Sequence, residues 1–156
     1  MSRLLIVKSS PNGEACYSHQ LLTEFVRQSL LKWPSTELIT WDLTQQTALS
    51  ASVSLGTLQS ADYLAFALCS EDYSCLLQWL DDLLLSDILL PAKKSAPTPL
   101  FIFVAGESEA ANLAAKSKLA QPLFRLGLVV SDYIEVDGSK QSEDDAHRRI
   151  EALMNC

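Results

Sequence analysis

The sequence is short of the residues that several common ligand sites require. It has only five glycines in 156 residues. Neither G-x-x-x-x-G-K-[ST] nor G-x-G-x-x-G occurs, which excludes a Walker-type phosphate loop and the usual dinucleotide fingerprint. The two histidines, His19 and His147, are far apart, and Cys16, Cys69, Cys75 and Cys156 show no C-x-x-C spacing, so no zinc site is expected. Basic residues are scarce, 12 Lys and Arg against 19 Asp and Glu for a net charge of -7. That balance argues against a duplex nucleic-acid binder, which needs a basic face to replace counterions. No apolar run approaches the roughly 18 residues of a membrane span. The first apolar run is broken by Lys8 and is followed by no secretory cleavage pattern. A cytoplasmic protein with reduced thiols is the expectation.

What is present is ordinary for a globular chain: 48% apolar and 20% charged residues. At this length one domain, residues 1–156, should bury roughly 70% of its unfolded surface without staples. Short apolar runs alternate with longer amphipathic ones. Leu4–Val7, Glu37–Trp41, Tyr63–Leu68, Leu100–Ala105 and Val129–Val136 read as strands. Leu21–Leu31, Cys75–Leu90, Glu109–Leu126 and Ser142–Met154 read as helices. Leu100-Phe101-Ile102-Phe103-Val104 is apolar on both side-chain phases, as a strand covered on both faces must be. Trp33-Pro34 stops the first helix and Gly127 stops the third. Pro122 predicts a kink or a split in the third helix, and Ser142 with Asp145 resembles a capping box for the last. The stretch from Thr44 to Gln59 reads as a short helix or a surface loop. Five strands with right-handed crossovers give a three-layer α/β fold, a doubly wound parallel sheet of order 2-1-3-4-5.

In such a sheet ligands bind beyond the carboxyl ends of the strands, where strand order reverses, here beside strands one and three. The loop KSSPNGEACYS, Lys8 to Ser18, lies at that point and runs into a helix amino terminus, which favours an anion. Ser9, Ser10 and Ser18 can add hydroxyl donors, and Gly13 permits a tight turn. A terminal phosphate is the natural guest. Equally, such residues serve as plain turn and cap residues, and Glu14 disfavours an anion. A cysteine phosphatase would need an arginine soon after Cys16, and the first is Arg27. A phospho-accepting receiver would need carboxylates where Lys8-Ser9 and Leu68-Cys69 stand.

The segment RLLIVKSSPNGEACYSHQLLTEFV, followed by ITWDL, resembles the opening of the flavodoxin-like NAD(P)H-dependent oxidoreductases: FMN-dependent azoreductases, quinone reductases and FMN reductases. SADYLAFAL and LLQWLDDLL are similar to their third strand and following helix. By this resemblance Ser10 and Cys16-Tyr17-Ser18 would hold the FMN phosphate, Cys16 replacing the first serine of S-x-S. Glu71, Asp72 and Tyr73 would face the flavin ring. Tyr73 could stack on it, Trp79 could line the site, and the two carboxylates would disfavour an anionic reduced flavin. Gly106 and Glu107 would form the third contact, where the family has a more glycine-rich turn. Both loops depart from the family pattern: no proline follows strand three, and the turn after strand four has one glycine; the insertion common before strand four is reduced to Pro91 to Pro99.

The resemblance implies FMN as cofactor and NAD(P)H as co-substrate, with electrons passed to a quinone, azo or flavin acceptor. It names no catalytic side chain, because the flavin carries the chemistry. A homodimer is expected from the resemblance; the leucine-rich Leu76–Leu90, with more apolar positions than one buried face needs, suits either that dimer surface or the surface of a protein-binding module. The competing expectation is a flavodoxin-like module with a degenerate flavin site that binds another protein. Cys16 is expected to be a small, inert residue, with a reactive thiol as its alternative. Cys69 and Cys75 could meet, but are expected to stay free.

Overall fold

The computed structural model describes residues 2–9, 16–44, 56–58, 60–85 and 98–155. Five strands, β1 (Arg3–Lys8), β2 (Glu37–Asp42), β3 (Tyr63–Cys69), β4 (Leu100–Ala105) and β5 (Val130–Val136), form one sheet in the order β2-β1-β3-β4-β5. All four pairings are parallel. The expected topology is the observed one. The helices are α1 (Tyr17–Lys32), α2 (Ser74–Leu85), α3 (Glu109–Arg125) and α4 (Lys140–Met154). Of the stretch expected as short helix or loop before β3, residues 56–58 are helical, while 45–55 and 59 lie outside the described residues. Among the described residues no helix is long and apolar enough to cross a membrane.

The apolar runs are continuous because the sheet is covered on both faces. Strand alternation sends Leu5, Val7, Leu64, Phe66, Leu68, Ile102 and Val104 to one face, where they meet Leu76, Trp79, Leu80 and Leu83 of α2 and Ala115, Leu119 and Leu123 of α3. Leu4, Ile6, Ala65, Ala67, Phe103, Ile134 and Val136 face the other way, against α1 and α4. Ala65 and Ala67 are small where α1 crosses β3, and Phe25 fills the space, 5.3 Å from the ring of Phe103. Within α2, Leu77 and Leu84 also pack on the core and Leu85 is exposed. Most of the leucine excess expected to form a dimer face is therefore used inside the protein; positions 86–90 lie outside the described residues.

The helix ends follow local chemistry. Trp33 ends α1, its N–H bonded to Ser29 O, as the following proline requires. Gly127 adopts φ 76°, with its N–H on Phe124 O and that of Leu128 on Leu123 O, a Schellman stop. Pro122 does not split α3, which runs unbroken from Glu109 to Arg125 with the proline inside it; having no N–H, it cannot donate to Lys118 O. A second expectation is corrected. The cap of α4 is Ser139, not Ser142; Ser139 Oγ accepts from Ser142 N–H and Asp137 Oδ1 accepts from Ser139 N–H and Oγ. Those bonds hold the Asp137 carboxyl below its ordinary pKa.

Candidate functional site at the carboxyl edge of the sheet

The end of β1 lies beside the end of β3, with Lys8 paired to Ala67. Ser9 continues this contact beyond the strand: its N–H and its Oγ both donate to Ala67 O, at 3.1 and 2.9 Å. Cys16 is the N-cap of α1. Cys16 makes no side-chain capping bond, and the first turn of α1 carries no acidic residue. Among the described residues, the positive end of α1 is therefore neither capped by a hydroxyl nor neutralised by a carboxylate, an arrangement that suits an anionic group.

Cys16 is covalently joined to Cys69, the last residue of β3, with Cα atoms 6.9 Å apart. This corrects the expectation of reduced thiols at both positions. The reason is topological: the sheet order puts β3 next to β1, so residues 53 apart in sequence meet at one edge. Cys75, the nearer cysteine in sequence, is a free, half-buried thiol on α2. The bridge also removes the Cys16 S–H as a donor to a ligand. Ser18, fully buried, has its Oγ 3.1 Å from Cys16 Sγ.

Tyr17 points elsewhere. Its hydroxyl is 2.9 Å from His147 Nε2 on α4, in an edge-to-face contact. Burial, then the charges of Glu143 and Asp144, raise its pKa. Its side chain thus makes a contact between α1 and α4, which leaves only its backbone N–H on the side of the β1–α1 loop. Ser10, Gly13 and Glu14 lie outside the described residues.

After β3 the chain turns sharply, Asp72 N–H donating to Cys69 O at 3.2 Å. Glu71 and Asp72 are exposed, and Asp72 Oδ1 accepts from Ser74 N–H and Oγ, leading the chain into α2. Tyr73 is half-buried against the core on the α2 face. Trp79 is 8% exposed and meets Trp41 and Phe66 edge-on at 5.9 and 6.0 Å. It is a core residue and does not line the site, because the rotation of α2 that buries Leu76, Leu80 and Leu83 turns Trp79 the same way.

The turn after β4 is the tightest part. Gly106 N–H donates to Val136 O, and a Cβ at Gly106 would overlap Ser70 Oγ and Asn112 Oδ1. Asn112 is fully buried and donates to Val136 O at 3.0 Å, while its Oδ1 and the Ser70 hydroxyl have no bonding partner among the described residues. Glu107 is exposed, its backbone close to Gly138, which adopts φ 92°. Ser70 and Asn112 were not singled out from the sequence. The signal available was a lone asparagine on the apolar side of a helix rich in alanine and leucine.

No family model matches the sequence, and no curated protein matches it. Solved structures do. The chain superposes on an azoreductase from Bacillus anthracis str. Sterne with TM-score 0.68 at 16% identity, over 99% of this chain and 96% of that one. It superposes on an NADH:FMN oxidoreductase in its apo form with TM-score 0.70 at 14% identity, over 99% and 89%. An NAD(P)H:quinone oxidoreductase from Methanothermobacter marburgensis gives 0.66 at 13%, over 99% and 95%. The chain has the flavodoxin-like fold. In a flavodoxin-like sheet the β1–β3 switch point is the ligand edge. Ser9, Cys16, Ser18, Cys69, Ser70 and Gly106 gather there, and the Tyr17 and Trp79 side chains do not.

Proposed function

We propose that the protein is an FMN-dependent NAD(P)H oxidoreductase acting on a small electron acceptor of the quinone, azo or flavin class. The observation that carries this reading is the uncapped amino terminus of α1 at the β1–β3 switch point, in a chain that superposes over nearly its whole length on oxidoreductases. Bound FMN would supply hydride acceptance from the nicotinamide and electron delivery to the acceptor. The α1 amides would hold the phosphate, with Ser10 and Ser18 adding hydroxyls. The carboxylates of Glu71 and Asp72 would oppose negative charge on the ring. Gly106 would meet the ring through its backbone, its Cβ position being taken by Ser70 and Asn112, and Tyr73 would border the ring. The protein would work in the cytoplasm as a homodimer, with Leu113, Phe124 and Val129 as exposed apolar residues to cover.

A second reading has its own observation. Ser9 is committed to Ala67 O and Cys16 to Cys69, so two of the expected phosphate donors are occupied within the chain. A flavodoxin-like module that has lost its flavin and binds a protein would look the same. The visible spectrum of the purified protein, before and after FMN is added and the excess removed, separates the two. Retained yellow bands that bleach with NADH or NADPH support the reductase. A colourless protein after FMN addition overturns it and leaves the binding module.

A further inference from the structure

We propose that Cys16–Cys69 is a redox-active disulfide, a thiol–disulfide exchange site at the ligand edge, opened by a small-molecule thiol that attacks Cys69 and expels Cys16. The bridge has little to staple. The strands it joins are already adjacent and hydrogen-bonded, Lys8 beside Ala67, and Ser9 bonds Ala67 O through both its N–H and its hydroxyl. Two apolar cores cover both faces of the sheet without it. In a reducing compartment a disulfide of this kind is a working one rather than a structural one.

Its two sulfurs differ in a way that sets a direction. Cys16 is 6% exposed and sits at the N-cap of a 16-residue helix whose first turn has no acid and no side-chain cap. That position stabilises a thiolate, and Ser18 Oγ, 3.1 Å from the sulfur, can donate to it. Cys69 is more exposed and is followed by a turn that carries the chain outward. Exchange is fastest when the accessible sulfur is attacked and the better-stabilised thiolate leaves.

The balance closes with two equivalents of a low-molecular-weight thiol. The first thiolate bonds to Cys69 Sγ, the Sγ–Sγ bond breaks, and its electron pair leaves on Cys16. The second thiolate bonds to the sulfur of the first, and Cys69 leaves as a thiolate that takes a proton from water. Two thiols become one disulfide and the protein disulfide becomes two thiols. The reverse, driven by a small disulfide, closes the bridge. No step uses FMN, so a colourless protein leaves this inference standing and its failure leaves the flavin reading untouched.

The test uses the folded full chain with Cys75→Ser and Cys156→Ser, so that only the two sulfurs remain. It is treated with millimolar 2-mercaptoethanol, quenched in acid, and mapped by peptide mass spectrometry, with circular dichroism to confirm the fold. The expected result is a mercaptoethanol adduct on Cys69 in about tenfold or greater excess over Cys16. A second measurement, the 240 nm thiolate absorbance of Cys69→Ser, should show Cys16 ionising below the ordinary cysteine value of about 8.5. An adduct mainly on Cys16 or shared equally would overturn the proposal. So would a bridge that opens only in denaturant, or thiols that stay free after treatment with oxidised glutathione.

Discussion

The hydroxyl of Tyr17 lies 2.9 Å from Nε2 of His147, joining the first residue of α1 to the middle of α4. The phenol therefore sits in a partly desolvated contact, facing the negative charges of Glu143 and Asp144, and its pKa is raised. A phenol whose folded pKa exceeds the unfolded one holds its proton longer when folded, so it lowers stability as pH climbs past about 10. Tyr17→Phe should cost about 0.5–1.5 kcal/mol near neutrality through the lost bond. It should also remove one late step from the 295 nm phenolate titration. A variant with unchanged Tm and an unchanged titration curve would show that the contact is absent in solution.

Glu24 gives the opposite dependence. Hydrogen bonds from Arg27, then Gln28, lower its pKa to about 2. A depressed carboxylate adds stability that is complete above the unfolded value of about 4.3 and vanishes as pH falls toward 2. Solvent screening keeps the worth of this exposed i,i+3 pair small, so the loss on breaking it is slight. Urea denaturation of Glu24→Gln should show that loss at pH 7 and none near pH 2; an equal loss at both would assign the effect to packing.

Gly106 is held by its neighbours rather than by its backbone angles. A Cβ there would overlap Ser70 Oγ and Asn112 Oδ1. Gly106→Ala should lower stability by about 1–3 kcal/mol, as overpacking of a tight site does. Adding Ser70→Ala should restore part of it. A Tm for Gly106→Ala equal to that of the parent would contradict the close approach of β3 and β4 ends.

Ser18 carries the next expectation. If FMN is bound as proposed, Ser18→Ala should weaken it by about 1–3 kcal/mol, the worth of a hydrogen bond to a charged group. Fluorescence quenching of FMN on titration measures this directly. Unchanged affinity in Ser18→Ala combined with Ser10→Ala would remove the loop from the site.

The parallel order followed from the strand–helix alternation through the right-handed crossover rule. Local patterning determined the five strands, the two-sided burial of β1, β3 and β4, and the stops at Trp33 and Gly127. These depend on neighbours a few residues apart, where period, proline and glycine act directly. The strand-order reversal beside β1 and β3 placed the expected ligand edge at the end of β1, and the resemblance carried by Arg3 to Leu43 pointed to the same loop. Tertiary structure decided the rest, because contacts across the sheet have no local signature. Cys16 meets Cys69 only because β3 lies beside β1, and Cys75, six residues away from Cys69, stays free. Tyr17 and Trp79 look alike as site aromatics in the sequence. The position of α4 takes the first to His147, and the rotation of α2 buries the second against Trp41 and Phe66. Ser70 and Asn112 converge on Gly106 because β3, β4 and the start of α3 end at one height, a condition set by strand register and invisible to any short window of residues.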